Sequence, residues 1–258
     1  MKVFHMSGAG NDFAVADVRG LDADLSELAK SLCQQVGADG FLGVDTAETE
    51  DFRLHFYNAD GSRGEMCGNG ARCVCKFAYD NGIAGESMTV QTDAGVVQGW
   101  HLEENRYRVQ LNTPSVIDLQ RLEDTAYVEL GDPGVPHSVT RLESLEFSDK
   151  VVLHPTFLKL RHSSAFPKGA NVNFFARLGE NKVRVLTYER GVEDFTLACG
   201  TGSASVAVVL WKKGLLPGGY LEAENEGGTL AVTVVGVDKQ VQQLYLEGPT
   251  ETLHILDI

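Results

Sequence analysis

The stretch Ala198-Cys199-Gly200-Thr201-Gly202-Ser203-Ala204-Ser205-Val206-Ala207-Val208-Val209-Leu210-Trp211 decides the fold once it is set beside Met66-Cys67-Gly68-Asn69-Gly70-Ala71-Arg72-Cys73. Each runs from Cys-Gly-x-Gly straight into an apolar segment. The approach is shared as well: Leu54-His55-Phe56-Tyr57 and Val183-Arg184-Val185-Leu186-Thr187-Tyr188 are strand patterns rich in β-branched and aromatic residues, and each ends at a Tyr before a polar loop. The two cysteines lie about half a chain length apart. One Cys-Gly-x-Gly is a weak signal. A matched pair at this spacing points to two copies of one architecture.

Working outward, each cysteine precedes a helical pattern. The first covers Ala71 to Tyr79 and stops at Asp80-Asn81-Gly82; the second covers Ser203 to Lys213 and stops at Gly214, with Pro217 beyond. The second is apolar on nearly every side, so protein must surround it. Ser87 to Gln91, Arg106 to Leu111, Thr229 to Val235 and Gln242 to Leu246 have the length and composition of short strands, and Leu25 to Gln35 that of a short amphipathic helix on the outside. The expected fold class is α/β (α+β): two pseudo-symmetric domains from an internal duplication. Each is a curled β-sheet or barrel around a central helix, with the active site in the cleft between them. The expected halves are residues 1–112 plus 249–258, carrying Cys67, and 113–248, carrying Cys199. Residues 119–166 hold little motif information beyond the region of His137.

Composition narrows the function. The chain has 258 residues, 43% hydrophobic and 22% charged, in the ordinary globular range. A net charge of −14 with no basic block argues against nucleic acid as a partner. No apolar run reaches the roughly 18 residues of a membrane span, and the start, Met1-Lys2-Val3-Phe4-His5-Met6-Ser7-Gly8, turns polar too early for a signal peptide. The expectation is a cytoplasmic protein without a membrane partner. The five cysteines, Cys33, Cys67, Cys73, Cys75 and Cys199, are odd in number and sparse, which fits reduced thiols better than a disulfide framework. A metal or redox module built from Cys67, Cys73, Cys75 and Cys199 is a remote alternative, because structural zinc prefers Cys-x₂₋₄-Cys pairs.

Cys67 and Cys199 invite a chemical reading. A helix start leaves about four backbone N–H groups unpaired and carries partial positive charge. A thiol there has access to its thiolate near neutral pH, and the free N–H groups suit a carboxylate. Two such starts facing one another bracket a single α-carbon between two sulfurs, with its carboxylate held by both N–H sets. One thiolate then removes a proton from one face while one thiol delivers a proton to the other. That chemistry needs no organic cofactor and no metal, and a small amino acid is the expected substrate. Cys73 and Cys75, within the first helix, and Cys33, within the outer one, have the character of small core residues.

These residues resemble the diaminopimelate epimerase family of PLP-independent amino-acid racemases. The resemblance rests on Asn58-Ala59-Asp60-Gly61-Ser62, Met66-Cys67-Gly68-Asn69-Gly70-Ala71-Arg72-Cys73, Tyr188-Glu189-Arg190-Gly191 and Ala198-Cys199-Gly200-Thr201-Gly202. Met6-Ser7-Gly8-Ala9-Gly10-Asn11-Asp12-Phe13, Gly37-Ala38-Asp39-Gly40, Pro136-His137 and Ala170-Asn171-Val172 align in order, so it spans essentially the whole chain. It implies interconversion of LL- and meso-diaminopimelate with Cys67 and Cys199 as the acid–base pair. It implies that the backbone N–H groups of Gly68, Asn69, Gly200 and Thr201 hold the reacting carboxylate. Asn11, Asn58, Asn171, Glu189 and Arg190 would orient the amino acid, His137 would support the site, and the chain would form a homodimer. Two positions depart from the family pattern. Val135 replaces the Asn of Gly-Asn-Pro-His, and Phe195 stands where Glu is usual. Both bear on substrate choice and leave open the same chemistry on another amino acid, such as histidine.

Overall fold

The computed structural model describes residues 1–64 and 67–258. Glu65 and Met66, which belong to the first copy of the repeat, lie outside the described residues. Among those described, eighteen strands, four α-helices and one 3₁₀ turn make an α+β fold. The chain divides into two units, Met1–Gln110 with Glu247–Ile258, and Leu111–Leu246.

Unit 1 runs β1 (Lys2–Gly8), β2 (Asn11–Asp17), α1 (Leu25–Val36), β3 (Gly40–Asp45), β4 (Phe52–Asn58), β5 (Arg63–Gly64), α2 (Gly68–Asp80), β6 (Ser87–Thr92), β7 (Gly95–Glu103) and β8 (Arg106–Leu111). Unit 2 follows with β9 (Pro114–Leu122), β10 (Thr125–Leu130), β11 (Val135–Arg141), the 3₁₀ turn Phe147–Asp149, α3 (Lys150–Arg161), β12 (Asn171–Arg177), β13 (Lys182–Glu189), β14 (Asp194–Thr196), α4 (Gly200–Lys212), β15 (Tyr220–Asn225), β16 (Gly228–Val237) and most of β17 (Gln240–Pro249). The chain re-enters unit 1 within β17 and ends as β18 (Glu251–Asp257), antiparallel to β1.

The two units repeat one pairing order. In unit 1, β1 and β2 are antiparallel, β2 and β3 parallel across α1, and β3 and β4 antiparallel. β4 then carries the short β5 and, across α2, the parallel β6, which pairs with β7. In unit 2 the same places are taken by β10, β11, α3, β12, β13, β14, α4, β15 and β16. Register makes the match residue by residue. Phe13 faces Gly40 as His137 faces Asn171, so Val135 stands at the position of Asn11. Gly40 faces Asn58 and Val172 faces Tyr188, so Glu189 stands at the position of Asn58.

Each repeat encloses one helix. α2 packs on β1, β2, β3 and β7, and α4 on β10, β11, β12, β15 and β16, so each sheet must curl until both of its ends reach the helix. The sequence drives this. Val206, Val208, Val209 and Leu210 are essentially fully buried on different sides of α4, each stabilised by about 1.5–3 kcal/mol on leaving water. α1 and α3 lie against one side only. Asp24 caps α1 by accepting from the Ser26 and Glu27 N–H groups, and its face of Ala29, Leu32 and Cys33 joins Val3, Ala14, Ala16 and Phe41. α3 buries Phe157 against Phe174.

Candidate active site

Both cysteines are helix N-caps. Cys67 sits at φ −132°, ψ 122° and Cys199 at φ −114°, ψ 110°, extended in each case, and each opens a 13-residue helix. The sulfur accepts from the backbone N–H three residues on: Gly70 to Cys67 Sγ at 3.5 Å, Gly202 to Cys199 Sγ at 3.3 Å. An N-cap side chain is ordinarily an oxygen acceptor, and a neutral thiol accepts weakly. Either cap is therefore stronger when its sulfur is the anion, and the cap alone does not distinguish the two cysteines. Gly68, Asn69, Gly200 and Thr201 form the first turns, where the helix itself supplies no acceptor for the backbone N–H groups. The helices begin three residues earlier than the apolar pattern indicated, which is what puts the sulfurs in capping position.

In unit 1 the expected binding residues converge on the start of α2. The β1–β2 turn, Ala9-Gly10, has both φ positive (58° and 83°), the tight hairpin geometry, and it sets Asn11 opposite Gly8. Gly8 passes so close that a Cβ there would lie 2.9 Å from the Asn69 carbonyl oxygen and 3.1 Å from Cys73 Sγ. Asn11 donates to Asp39 Oδ2 at 2.7 Å and accepts from Asn69 Nδ2 at 3.4 Å; Asn69 Oδ1 in turn accepts from Arg72 Nη2 at 3.1 Å. Asn58 ends β4 beside this group, its amide donating to Ser62 Oγ at 2.9 Å while the Ala59 N–H reaches the Asp39 carbonyl.

Unit 2 builds a second polar cluster at the start of α4. Asn171, nearly fully buried, accepts the Arg190 backbone N–H at 2.8 Å and donates to the Pro136 carbonyl at 3.2 Å. The Arg190 guanidinium donates to the Lys168 carbonyl and is otherwise exposed, next to half-buried Glu189. His137 is fully buried, and burial first, then the Arg190 charge, pushes its pKa down to about 3. It is neutral at physiological pH. Its Nδ1 faces the Asn173 amide NH₂ at 3.2 Å and so must accept, which leaves the proton on Nε2. Asn173 also accepts from Thr187 Oγ1 at 2.9 Å and donates to the Ser138 carbonyl at 2.9 Å.

Three residues at these clusters carried no motif signal of their own. Arg72 and Asp39 sit inside the family strings without a chemical pattern of their own, and for Asn173 the one signal is its spacing of two from Asn171 on the same strand. Of the other thiols, burial raises Cys33 to about 11 and Cys73 and Cys75 to about 12, so they are inert packing groups. None of the five cysteines is in a disulfide. Among the described residues no cluster of three His, Cys, Asp or Glu side chains could hold a metal, and no helix is long and apolar enough to cross a membrane. The two departures differ in character. Val135 is 40% exposed at the start of β11. Phe195 instead packs edge-on against Phe157 (4.8 Å between centroids) and Tyr188 (5.4 Å), so it is part of the α3 core.

The diaminopimelate epimerase family model matches residues 3–117 and 131–253. This chain belongs to the diaminopimelate epimerase family. It is 35% identical to the diaminopimelate epimerase of Hydrogenobaculum sp., covering 97% of this chain and 95% of the relative. It is 39% identical to that of Nitratiruptor sp., covering 98% and 93%. Among solved structures, a Bacillus anthracis phenazine biosynthesis protein of the PhzF family superposes with a TM-score of 0.74 at 15% identity, covering 100% of this chain and 98% of the other. A hydroxyproline epimerase from Agrobacterium vitis gives 0.70 at 15% identity, covering 99% and 91%. At such identities the structural likeness establishes the fold that the family shares.

Proposed function

We propose that this chain is an isomerase that interconverts LL- and meso-diaminopimelate, with Cys67 and Cys199 as base and acid. The observation that carries the reading is the matching N-cap geometry of the two cysteines, each sulfur accepting from the N–H three residues on. In one direction a thiolate takes the α-proton and a thiol returns one to the opposite face; in the other direction the two exchange roles. As the proton leaves, negative charge spreads onto the α-carboxylate. The N–H groups of Gly68, Asn69, Gly200 and Thr201 are fixed donors for that charge, at no cost in reorganisation. Arg190 grips the distal carboxylate, Glu189 pairs with an ammonium, and Asn11, Asn58 and Asn171 complete the polar shell. His137 supports the site as a neutral imidazole. The reaction runs without an organic cofactor, in the cytoplasm, where free thiols persist, and the chain works as a homodimer.

Incubating the purified protein with LL-diaminopimelate in deuterated buffer should give meso product carrying deuterium at the inverted carbon. Cys67→Ala and Cys199→Ala should each abolish inversion. Absence of exchange at high enzyme concentration overturns the proposal. A second reading, the same chemistry on another amino acid such as histidine, is favoured by one observation: Val135 presents an exposed apolar side chain where the family has an amide. Running histidine beside diaminopimelate in the same exchange assay separates the two.

A further inference from the structure

Arg72 lies in the first turns of α2 with no exposed surface at all, the largest fully buried side chain among the described residues. Its guanidinium donates from Nη1 to the Gly68 carbonyl at 3.3 Å and from Nη2 to Asn69 Oδ1 at 3.1 Å, and Nε has no partner. Among the described residues no carboxylate pairs with it. A buried, unpaired cation is costly, by several kcal/mol even after relaxation. Burial pulls its pKa down to about 10, which still leaves it charged at neutral pH. Something in the surroundings must supply the balancing anion.

Among the described residues the charged and titratable groups that bear on Arg72 are few. On its own helix they are Cys67, Cys73 and Cys75, and from β8 there is Arg106, another cation. Asp12 of β2 faces Cys73 and is engaged with His5 of β1 at 3.3 Å. Cys73 and Cys75 are wholly buried and held protonated by it. Cys67 alone is both near the guanidinium and partly open to solvent, and its sulfur already accepts an N–H. The matching helix α4 has no such cation: Ala204 stands at the position of Arg72, five residues after its cysteine. The repeat is symmetric in backbone and asymmetric in charge.

We propose that Arg72 is a positioning residue that sets the ionisation of the resting site, holding Cys67 as the thiolate while Cys199 waits as the thiol. The guanidinium also orients the Asn69 and Asn11 amides, so one buried cation fixes both the base and part of the binding shell. This rests on the proposed acid–base pair, but its test needs no substrate.

The substrate-free protein is treated with iodoacetamide across pH 5 to 10, and alkylation is followed separately at Cys67 and Cys199 by peptide mass. The pH midpoint of each reaction is compared, because limited access slows a thiol without moving its midpoint. Cys67 should titrate at least one pH unit below Cys199, about a tenfold larger thiolate fraction at pH 6.5. Arg72→Met should move the Cys67 midpoint up by a comparable amount and leave that of Cys199 unchanged, and Arg72→Lys should restore part of the difference. Coincident midpoints in the wild-type protein, or a lower one at Cys199, overturn the proposal whether or not Arg72→Met folds. A folded Arg72→Met with an unmoved Cys67 midpoint overturns it too. If the exchange assay fails while the midpoints differ, the charge asymmetry stands and the substrate assignment falls.

Discussion

Gly202→Ala isolates what holds the Cys199 helix start in place. A Cβ there would fall well inside van der Waals contact with Asn173 Oδ1, and 3.1 Å from Thr187 Oγ1. Neither neighbour is a free chain end, since Asn173 is bonded to Thr187, Ser138 and His137. Displacing that amide strains or breaks three buried hydrogen bonds, a loss of about 3 kcal/mol at roughly 1 kcal/mol each. Alanine recovers about 1 kcal/mol through its better helix propensity. The net cost is about 2 kcal/mol, which for a chain of this size lowers Tm by about 4–8 °C. The control is Gly70→Ala at the matching position of α2, where a Cβ would meet the Leu42 methyl groups at 3.2 and 3.4 Å and the edge of the Phe13 ring at 3.4 Å, apolar contacts with no hydrogen bond to break. It should be within about 0.5 kcal/mol of wild type. Thermal melts by circular dichroism, read with α-proton exchange rates, report both. If Gly202→Ala melts with Gly70→Ala and keeps its exchange rate, the Asn173 network does not position the helix start.

Two further outcomes follow from individual side chains. Phe195→Glu, which restores the usual family residue, should cost about 2–3 kcal/mol by removing a ring from the Phe157–Tyr188 cluster while leaving KM unchanged. A raised KM without loss of Tm would contradict the packing role. His137 is held neutral in the fold, with a pKa of about 3 against about 6.5 unfolded. Its contribution is present above pH 6.5 and is lost as pH falls toward 3, because the unfolded state takes up a proton the native state refuses. Between pH 6 and 4 the urea-derived stability of wild type should therefore fall more steeply than that of His137→Gln, by about 1.4 kcal/mol per pH unit; parallel slopes would show that His137 charges in the fold.

The paired cysteines and the strands leading to them are legible because the signal is doubled: Tyr57 and Tyr188 each stand one residue before the end of a strand that leads to the same motif. The helix starts are not, since Gly68-Asn69-Gly70 and Gly200-Thr201-Gly202 are poor helix formers and only burial holds them in the first turn. α3 is invisible for another reason. Pro155 sits inside it, and the outward Val151 and Val152, 78% and 80% exposed, mask the apolar stripe of Leu153, Phe157 and Leu160. Arg72 gives no sign of its burial, because a charged residue inside an apolar pattern ordinarily marks the solvated face. Its burial is a property of the closed sheet, which no local pattern encodes.

The return of β18 to pair with β1 makes one unit continuous and the other not. The unit around α4 is the single stretch Leu111–Leu246, whereas the unit around α2 is gathered from two stretches on either side of it. Contacts between strands far apart in sequence form slowly, because a long loop must close before they are rewarded. The surroundings of Cys67 should therefore assemble more slowly in refolding than those of Cys199.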